Sequence, residues 1–444
     1  MKNMKRTAAS LLLLTGMGLL FSSCFLFRKA ATPPPSPHQE IPRASLPPKV
    51  TPPPSQKTVP PPFGVSAFAK KIYKPVYNVV LFTPLDIDQV VSDTGFSVSN
   101  RTPLPPASLA GLEFYEGALL AMDSLQDEGI SIKLTVYDTK SLSKPLAGIL
   151  RSNELDSADL MIGDVNSREL QEIGSLAKAK QINFISAIYP NDAGITGNPF
   201  LTIMNSTLSV HCHAIQNFVQ QKFGDKNILV IYQDNAQEKQ NLTYMQQAYR
   251  EMNYNFKSPL QPFEWSNNTT VNDLLPHLKK DKNNVIIIAT LYPQVALSII
   301  GQLIPLMKTY MINVVGMPTL DGNQDLKTNE YYGINVYYST PYPYYNAGTD
   351  PAIRSMMWQF FNKYRSRPSD IALKGNEIMF YFGHLLRKEG VYFNSNMNDP
   401  GGKIYTAFNI QPVYRNDGIK EPDYFENMRL YFVQVRDGKS VPAN

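Results

Sequence analysis

Short apolar runs rich in β-branched residues alternate along this chain with stretches whose apolar positions recur every three or four residues. The runs "YNVVLF", "ISIKLTVYD", "ADLMIG" and "INFISA" read as strands. Between them, Leu112, Tyr115, Ala118, Leu119, Met122 and Leu125 mark one face of a helix that Gly129 ends. Further helices are expected near 143–155 and over 167–180. A second series follows residue 198. A helical stripe of Leu208, Cys212, Ile215 and Val219 precedes the strand "NILVIY"; then come a helix over 237–252, the strand "VIIIAT", a helix over 295–307 and the strand "INVVG". Wholly apolar strands interleaved with helices predict parallel sheets covered on both faces. Two such series predict two α/β lobes, and the length from about Val76 onward suits two cores better than one.

The last third starts no third domain. "YYGINVYYS" reads as a strand, 352–364 and 376–389 as helices, and "GGKIYTAFNIQPVY" and "NMRLYFVQVRDGK" as strand-like segments that complete the two sheets. The expected division is 76–201 with 335–395 for the first lobe and 202–334 with 396–444 for the second, with three crossings between them.

The N-terminal region changes the picture. Lys2, Lys5 and Arg6 precede an apolar run from Leu11 to Phe21, roughly 11 residues, where a membrane span needs roughly 20. A secretory signal over 1–23 is therefore expected, with Ser22 and Ser23 before Cys24 resembling the site at which bacterial lipoproteins are cut and acylated on the cysteine. From Cys24 to 75 the chain is expected to serve as a lipidated tether. Its proline-rich part, 32–62, would span on the order of 95 Å if extended. The expected location is the bacterial cell envelope, facing the periplasm, with the membrane reached through the lipid.

Composition then narrows the partners. Without residues 1–23 the chain carries 39 basic against 37 acidic side chains, which argues against nucleic acid. With Cys24 acylated, Cys212 has no partner for an internal disulfide. His211 and His213 flank Cys212, but helical positions two apart point to different sides, so Cys212 reads as core and no metal or other cofactor is called for. The motifs of serine hydrolases, zinc proteases, phosphate-binding loops and dinucleotide folds are missing, so an enzyme is not expected.

The segments "FYEGALLAMDSL", "ADLMIGDVNS", "NPFLTIMNST" and "FFNKYRSRPSDIALKGNEIMFYFGHLLRKEG" resemble those of type I periplasmic solute-binding proteins, in particular the leucine/isoleucine/valine-binding branch. The resemblance implies a two-lobed clamp with a small-molecule ligand held where strand ends and helix starts face each other, and an ABC permease as partner. In the family a hydroxyl follows the third strand's glycine by four residues, which here is Ser167. Its alternative is helix capping, through Asn166 and Glu169. Asp164 stands where the family often has proline and could either prefer an amine or simply be solvated. Ser186 and Tyr189 end the next strand, but Ala187 and Ile188 stand where relatives usually place another hydroxyl. From the second lobe come Tyr232, Asp234, Tyr292, Thr319 and Asp321. The run "VYYSTPYPYY" offers Tyr342, Tyr344 and Tyr345 either to a ligand or to packing of the hinge. The rival to solute capture is a noncatalytic envelope scaffold or regulator, for example of peptidoglycan synthesis, which the long proline stalk would suit.

Overall fold

A computed structural model describes residues 64–92, 95–96, 103–253, 257–344, 348–415 and 420–443, within the compact unit Thr58–Asn444. The signal over 1–23, Cys24 and the proline-rich stretch lie outside the described residues.

The chain opens with β1 (Tyr77–Thr83), the one-turn helix α1 (Ile87–Val90) and a small ladder of β2 (Val91–Ser92) with β3 (Gly95–Phe96). There follow α2 (Pro106–Asp127), β4 (Ile132–Asp138), α3 (Leu146–Arg151), β5 (Leu160–Gly163), α4 (Ser167–Lys180), β6 (Asn183–Ser186) and β7 (Leu201–Ile203). The second lobe is built from α5 (Leu208–Lys222), β8 (Lys226–Tyr232), α6 (Ala236–Glu251), β9 (Leu260–Glu264), α7 (Val271–Leu274), β10 (Asn283–Ile288), α8 (Pro293–Leu303), β11 (Met311–Gly316) and β12 (Asn335–Thr340). The chain then returns through α9 (Pro351–Tyr364), α10 (Asp370–Glu389), β13 (Ile410–Val413) and β14 (Tyr424–Asn427), and ends on β15 (Tyr431–Arg436) and β16 (Lys439–Pro442).

These strands form two seven-stranded sheets, in the orders β13-β14-β7-β6-β5-β1-β4 and β16-β15-β12-β11-β10-β8-β9. From β7 to β4 and from β12 to β9 every neighbour is parallel, and within these two sheets antiparallel pairing is confined to pairs made by the C-terminal strands. Each sheet is covered on both faces. In the first, Val79, Leu81 and Ile162 pack toward α2 and α10, while Val80, Phe82 and Met161 pack toward α3 and α4. In the second, Leu229 and Ile286 face α7 and α8, and Val230 and Ile287 face α5 and α6. The two-lobed fold with three crossings is thus as expected. They lie between β7 and α5, between β12 and α9, and between β14 and β15.

The lobe boundaries differ from those read in the sequence. β12, in the segment 335–395 expected in the first lobe, pairs with β11 in the second sheet. β13 and β14, in the segment 396–444 expected in the second, complete the first sheet, β14 lying parallel to β7. The physical reason is that a strand's partner is set by hydrogen bonds to remote chain, which its own alternation does not record. The tether also ends before residue 75. Val65, Ala67 and Phe68 are buried in the first lobe's core, Phe68 against Phe200 and Phe425, and Val391 donates its N–H to the Ile72 carbonyl.

α2 and α10 cross so closely that two glycines are obligatory. A Cβ at Gly117 would lie 2.0 Å from the Ala372 carbonyl oxygen, and one at Gly375 would lie 2.1 Å from that of Phe114. Both obstacles are backbone and cannot rotate away.

Candidate functional site

The hinge is built from the inside. Glu426 on β14 is 2% exposed and accepts the Thr207 N–H at 2.6 Å, at the residue capping α5. Beside it the Ser206 hydroxyl donates to the Asn427 carbonyl at 2.6 Å, so the first and third crossings are bonded together. The second crossing is fixed by its tyrosines. Tyr344 donates to Glu377 Oε2 at 2.7 Å, whose other oxygen accepts the N–H groups of Tyr405 and Thr406. Tyr342, also buried, directs its hydroxyl at the Ala187 carbonyl, 3.4 Å away. These two tyrosines pack the hinge, and Tyr345 lies outside the described residues.

Beyond the hinge the carboxyl ends of both sheets supply the remaining candidates. Asp164 follows β5, its N–H bonded to the Phe82 carbonyl. Burial pushes its carboxyl up to about 6, with the charge of Glu169 adding to the rise and Lys374 and Lys140 opposing it. Ser167 is the first residue of α4, but the cap belongs to Asn166: its Oδ1 accepts the N–H groups of Arg168 and Glu169, and Glu169 returns a bond to the Asn166 N–H. The Ser167 hydroxyl has no hydrogen-bond partner among the described residues.

Ser186 is wholly buried, its hydroxyl unpartnered among the described residues. It alternates with Ile185 and Ala187, which face α10, and so points toward the α4 side of the sheet. Tyr189 is half-buried on that same side. Neither shares the α10 side with Asp164 and Lys374.

In the second lobe, Tyr232 ends β8 with its carbonyl accepting the Trp265 N–H and its ring against the core beneath α5 and α6. Asp234 pairs with Lys239 on the surface. Tyr292 caps α8 and is 64% exposed, and Thr319 is exposed. Asp321 is the second-lobe candidate whose charge, like that of Asp164, acts on Lys374. Although the residue as a whole is exposed, its carboxyl is turned toward Thr340, Tyr338 and Lys374; loss of water there raises its pKa, while the two hydroxyls and Lys374 favour the charged form.

The sequence reading missed Lys374. It lies on the second turn of α10 with its Nζ 4.8 Å from the centre of the Tyr342 ring. Burial lowers its pKa, and Asp321, Asp370 and Asp164 together oppose the fall. One ammonium therefore feels carboxylates from both lobes. Among the described residues none of these carboxylates reaches ion-pair distance of it. The signal was a lysine inside the otherwise apolar "IALKGNEIMF".

His211 and His213 diverge as their helical spacing requires. His211 Nδ1 meets the Ser339 hydroxyl at 2.8 Å in the interior, where burial lowers its pKa to about 3, and His213 bonds Ser209 O and Glu251 at the surface. Two shallow concavities of about 420 and 560 Å³ lie elsewhere, one beside α8 and the other at the amino ends of β10, β11 and β12.

Residues 105–439 match the family model of periplasmic binding proteins. The chain belongs to that family. Solved structures agree on the fold of this binding protein. One from Rhodospirillum rubrum, assigned to a branched-chain amino acid ABC transporter, superposes with a TM-score of 0.59 at 13% identity, covering 83% of this chain and 99% of its own. A branched-chain amino acid ABC transporter periplasmic ligand-binding protein from Burkholderia xenovorans gives 0.57 at 14% identity, over 82% and 94%. A branched-chain amino acid transporter structure from Rhodopseudomonas palustris gives 0.56 at 15%, over the same shares. No curated protein matches the chain. Membership implies an extracytoplasmic location, and members of this family are solute-binding proteins rather than enzymes. Among the described residues, no helix is long and apolar enough to cross a membrane.

Proposed function

We propose that this protein is an envelope solute receptor, acylated at Cys24 and held away from the membrane by its proline-rich stalk, that closes its lobes on a small polar molecule and delivers it to an ABC-type permease. The observation that carries the reading is the match of residues 105–439 to periplasmic binding proteins on two seven-stranded sheets linked by three crossings, and it is supported by Lys374 of α10, on which the charges of Asp164 from the first lobe and Asp321 from the second both act. Polar groups from opposite lobes around one space are what a clamp needs, because closure removes water from the solute and strengthens every contact to it. Ser167, with its free hydroxyl at the start of α4, stands as an additional grip for a carboxylate.

Thermal unfolding against a panel of amino acids, small peptides, amines and sugars tests the reading. A solute bound only by the folded state at a hundred times its Kd adds about 2.7 kcal/mol. No shift across the panel, together with recovery of a cell-wall synthase on the globular body, would turn the assignment to an envelope scaffold. Intact mass of the membrane-extracted protein tests the anchor: an unmodified Cys24 or a retained Met1 removes it.

A further inference from the structure

α9 carries a charge imbalance that the rest of the body does not. From residue 64 onward the chain holds 34 basic and 36 acidic side chains, yet from Pro351 to Ser369 it holds Arg354, Lys363, Arg365 and Arg367 and no acid. Lys363 is paired with Asp123 on α2, whereas none of the three arginines makes an ion pair among the described residues. Two neighbouring acids are already engaged: Asp350 accepts the N–H groups of Ala352 and Ile353, and Glu113 accepts the Ser369 hydroxyl.

The helix sorts its side chains sharply. Ile353, Met356 and Phe360 are buried in the first lobe's core, with Met357 and Tyr364 packed against it. At steps of four, three and four residues, Arg354, Trp358, Phe361 and Arg365 fall on one outer stripe of exposed positions. Trp358 is 68% exposed and Phe361 49%, so two aromatic rings stand in water between two arginines. At 1.5 Å of rise per residue the stripe runs about 16 Å.

Charge decides what can cover it. A second copy laid along the stripe would set arginine against arginine. An anionic lipid surface offers what both residue types need, phosphates for the guanidinium forks and an apolar boundary just beneath them for the rings. Tryptophan at such a boundary keeps its N–H wet while its rings leave water. The chain outside the described residues supplies a second argument. Residues 24–63, read as a tether on Cys24, join the body at Val65 in the core of the first lobe, the lobe on which α9 packs. A tether sets a greatest distance from the leaflet and no least one.

We propose that α9 is a membrane-docking helix, which lays Trp358 and Phe361 into the headgroup layer of an anionic phospholipid leaflet and sets Arg354 and Arg365 on its phosphates. Docking fixes the first lobe to the surface and leaves the second free to swing. The proposal draws on the tether reading only for the body's access to the leaflet.

Flotation with vesicles of the chain from residue 24 carrying Cys24→Ser, which has no acyl group, tests docking separately from the anchor. Vesicles of phosphatidylcholine with about a third phosphatidylglycerol are expected to bind at least tenfold more tightly than phosphatidylcholine alone, and less tightly as salt rises. On those vesicles tryptophan emission should shift to the blue. Trp265 is buried, so the shift reports Trp358, and Trp358→Phe removes it. Arg354→Gln and Arg365→Gln should each weaken binding about fivefold. Unchanged melting temperatures separate these effects from misfolding. Equal flotation with both vesicle types overturns the charge argument, and no flotation with either overturns the docking itself. Flotation that survives the double arginine substitution, with the emission unshifted, assigns the binding to the basic residues of 24–63 and refutes the role given to α9. An unshifted emission together with a photo-crosslinker at position 358 capturing a protein makes the stripe a protein contact and refutes the lipid assignment. Solute capture and acylation of Cys24 are read by the thermal panel and the intact mass above, so neither stands or falls with this result.

Discussion

Replacing Glu426 by Gln should make the protein's stability less dependent on pH, with a sign and size set by the hinge. Burial pushes this carboxyl from its ordinary 4.5 up to about 7; the Thr207 N–H and hydroxyl oppose the rise, the charge of Asp192 adds to it and Arg415 opposes it. Below about pH 4.5 the group is protonated whether the chain is folded or not. Between about 4.5 and 7 the folded state holds the extra proton, so wild-type stability falls as pH rises, and above about 7 the loss is complete. At 1.36 kcal/mol per pH unit the loss is about 3 kcal/mol, and with Glu426 only 2% exposed, solvent screening discounts little of it. Glutamine keeps an oxygen for the Thr207 N–H and cannot ionise. Urea denaturation at about pH 4.5, 6 and 8 should therefore show the stability of the variant, relative to wild type, climbing by about 3 kcal/mol across the range. Asp164, raised in the same sense, is common to both proteins and cancels in the difference. A difference that does not change with pH refutes the reasoning. A variant that loses ground toward pH 8 means instead that ionised Glu426 is stabilised by the start of α5.

Three other substitutions or probes address the rest of the fold. Gly117→Ala or Gly375→Ala drives a methyl group into a facing carbonyl and should cost about 3 kcal/mol in chemical denaturation; a loss below about 0.5 kcal/mol would mean that α2 and α10 separate freely. Tyr344→Phe removes a donor from buried Glu377 and should cost about 1–3 kcal/mol, visible as a lower unfolding midpoint with an unchanged slope. Burial pushes the Cys212 thiol up to about 12, so in a Cys24→Ser background a thiol reagent should label nothing in the native protein at pH 8 and one thiol in urea.

Elements with strong local signals were legible in the sequence. α4 occupies the expected 167–180, because Asn166 and Glu169 form a capping box that local sequence fully specifies. β10 and β11 were equally plain, being apolar throughout. β14 was not, since Glu426 and Asn427 are polar yet buried among the crossings, and no periodicity announces a buried glutamate. β7 has three residues, too few for a pattern. The helix expected over 295–307 stops as α8 at Leu303 and continues as a 3-10 turn holding Pro305. The site divided in the same way: Asp164 and Asp321 could be proposed from their places after strands, whereas Lys374 gains meaning only through carboxylates remote in sequence. Asn166 took the capping role that had competed with ligand contact for Ser167, and the tyrosine run proved to be packing as far as Tyr344.

The return of the chain to complete its first sheet has a consequence for biogenesis. A polypeptide emerging from the export channel can assemble β1 to β7 early, but the edge of β7 stays open until residues 424–427 arrive. In the meantime a bare strand edge is exposed to any other chain. A stop codon near residue 400 would accordingly leave bare edges in both sheets, on β7 in the first and on β12 in the second, the first of them exposed from the start of synthesis.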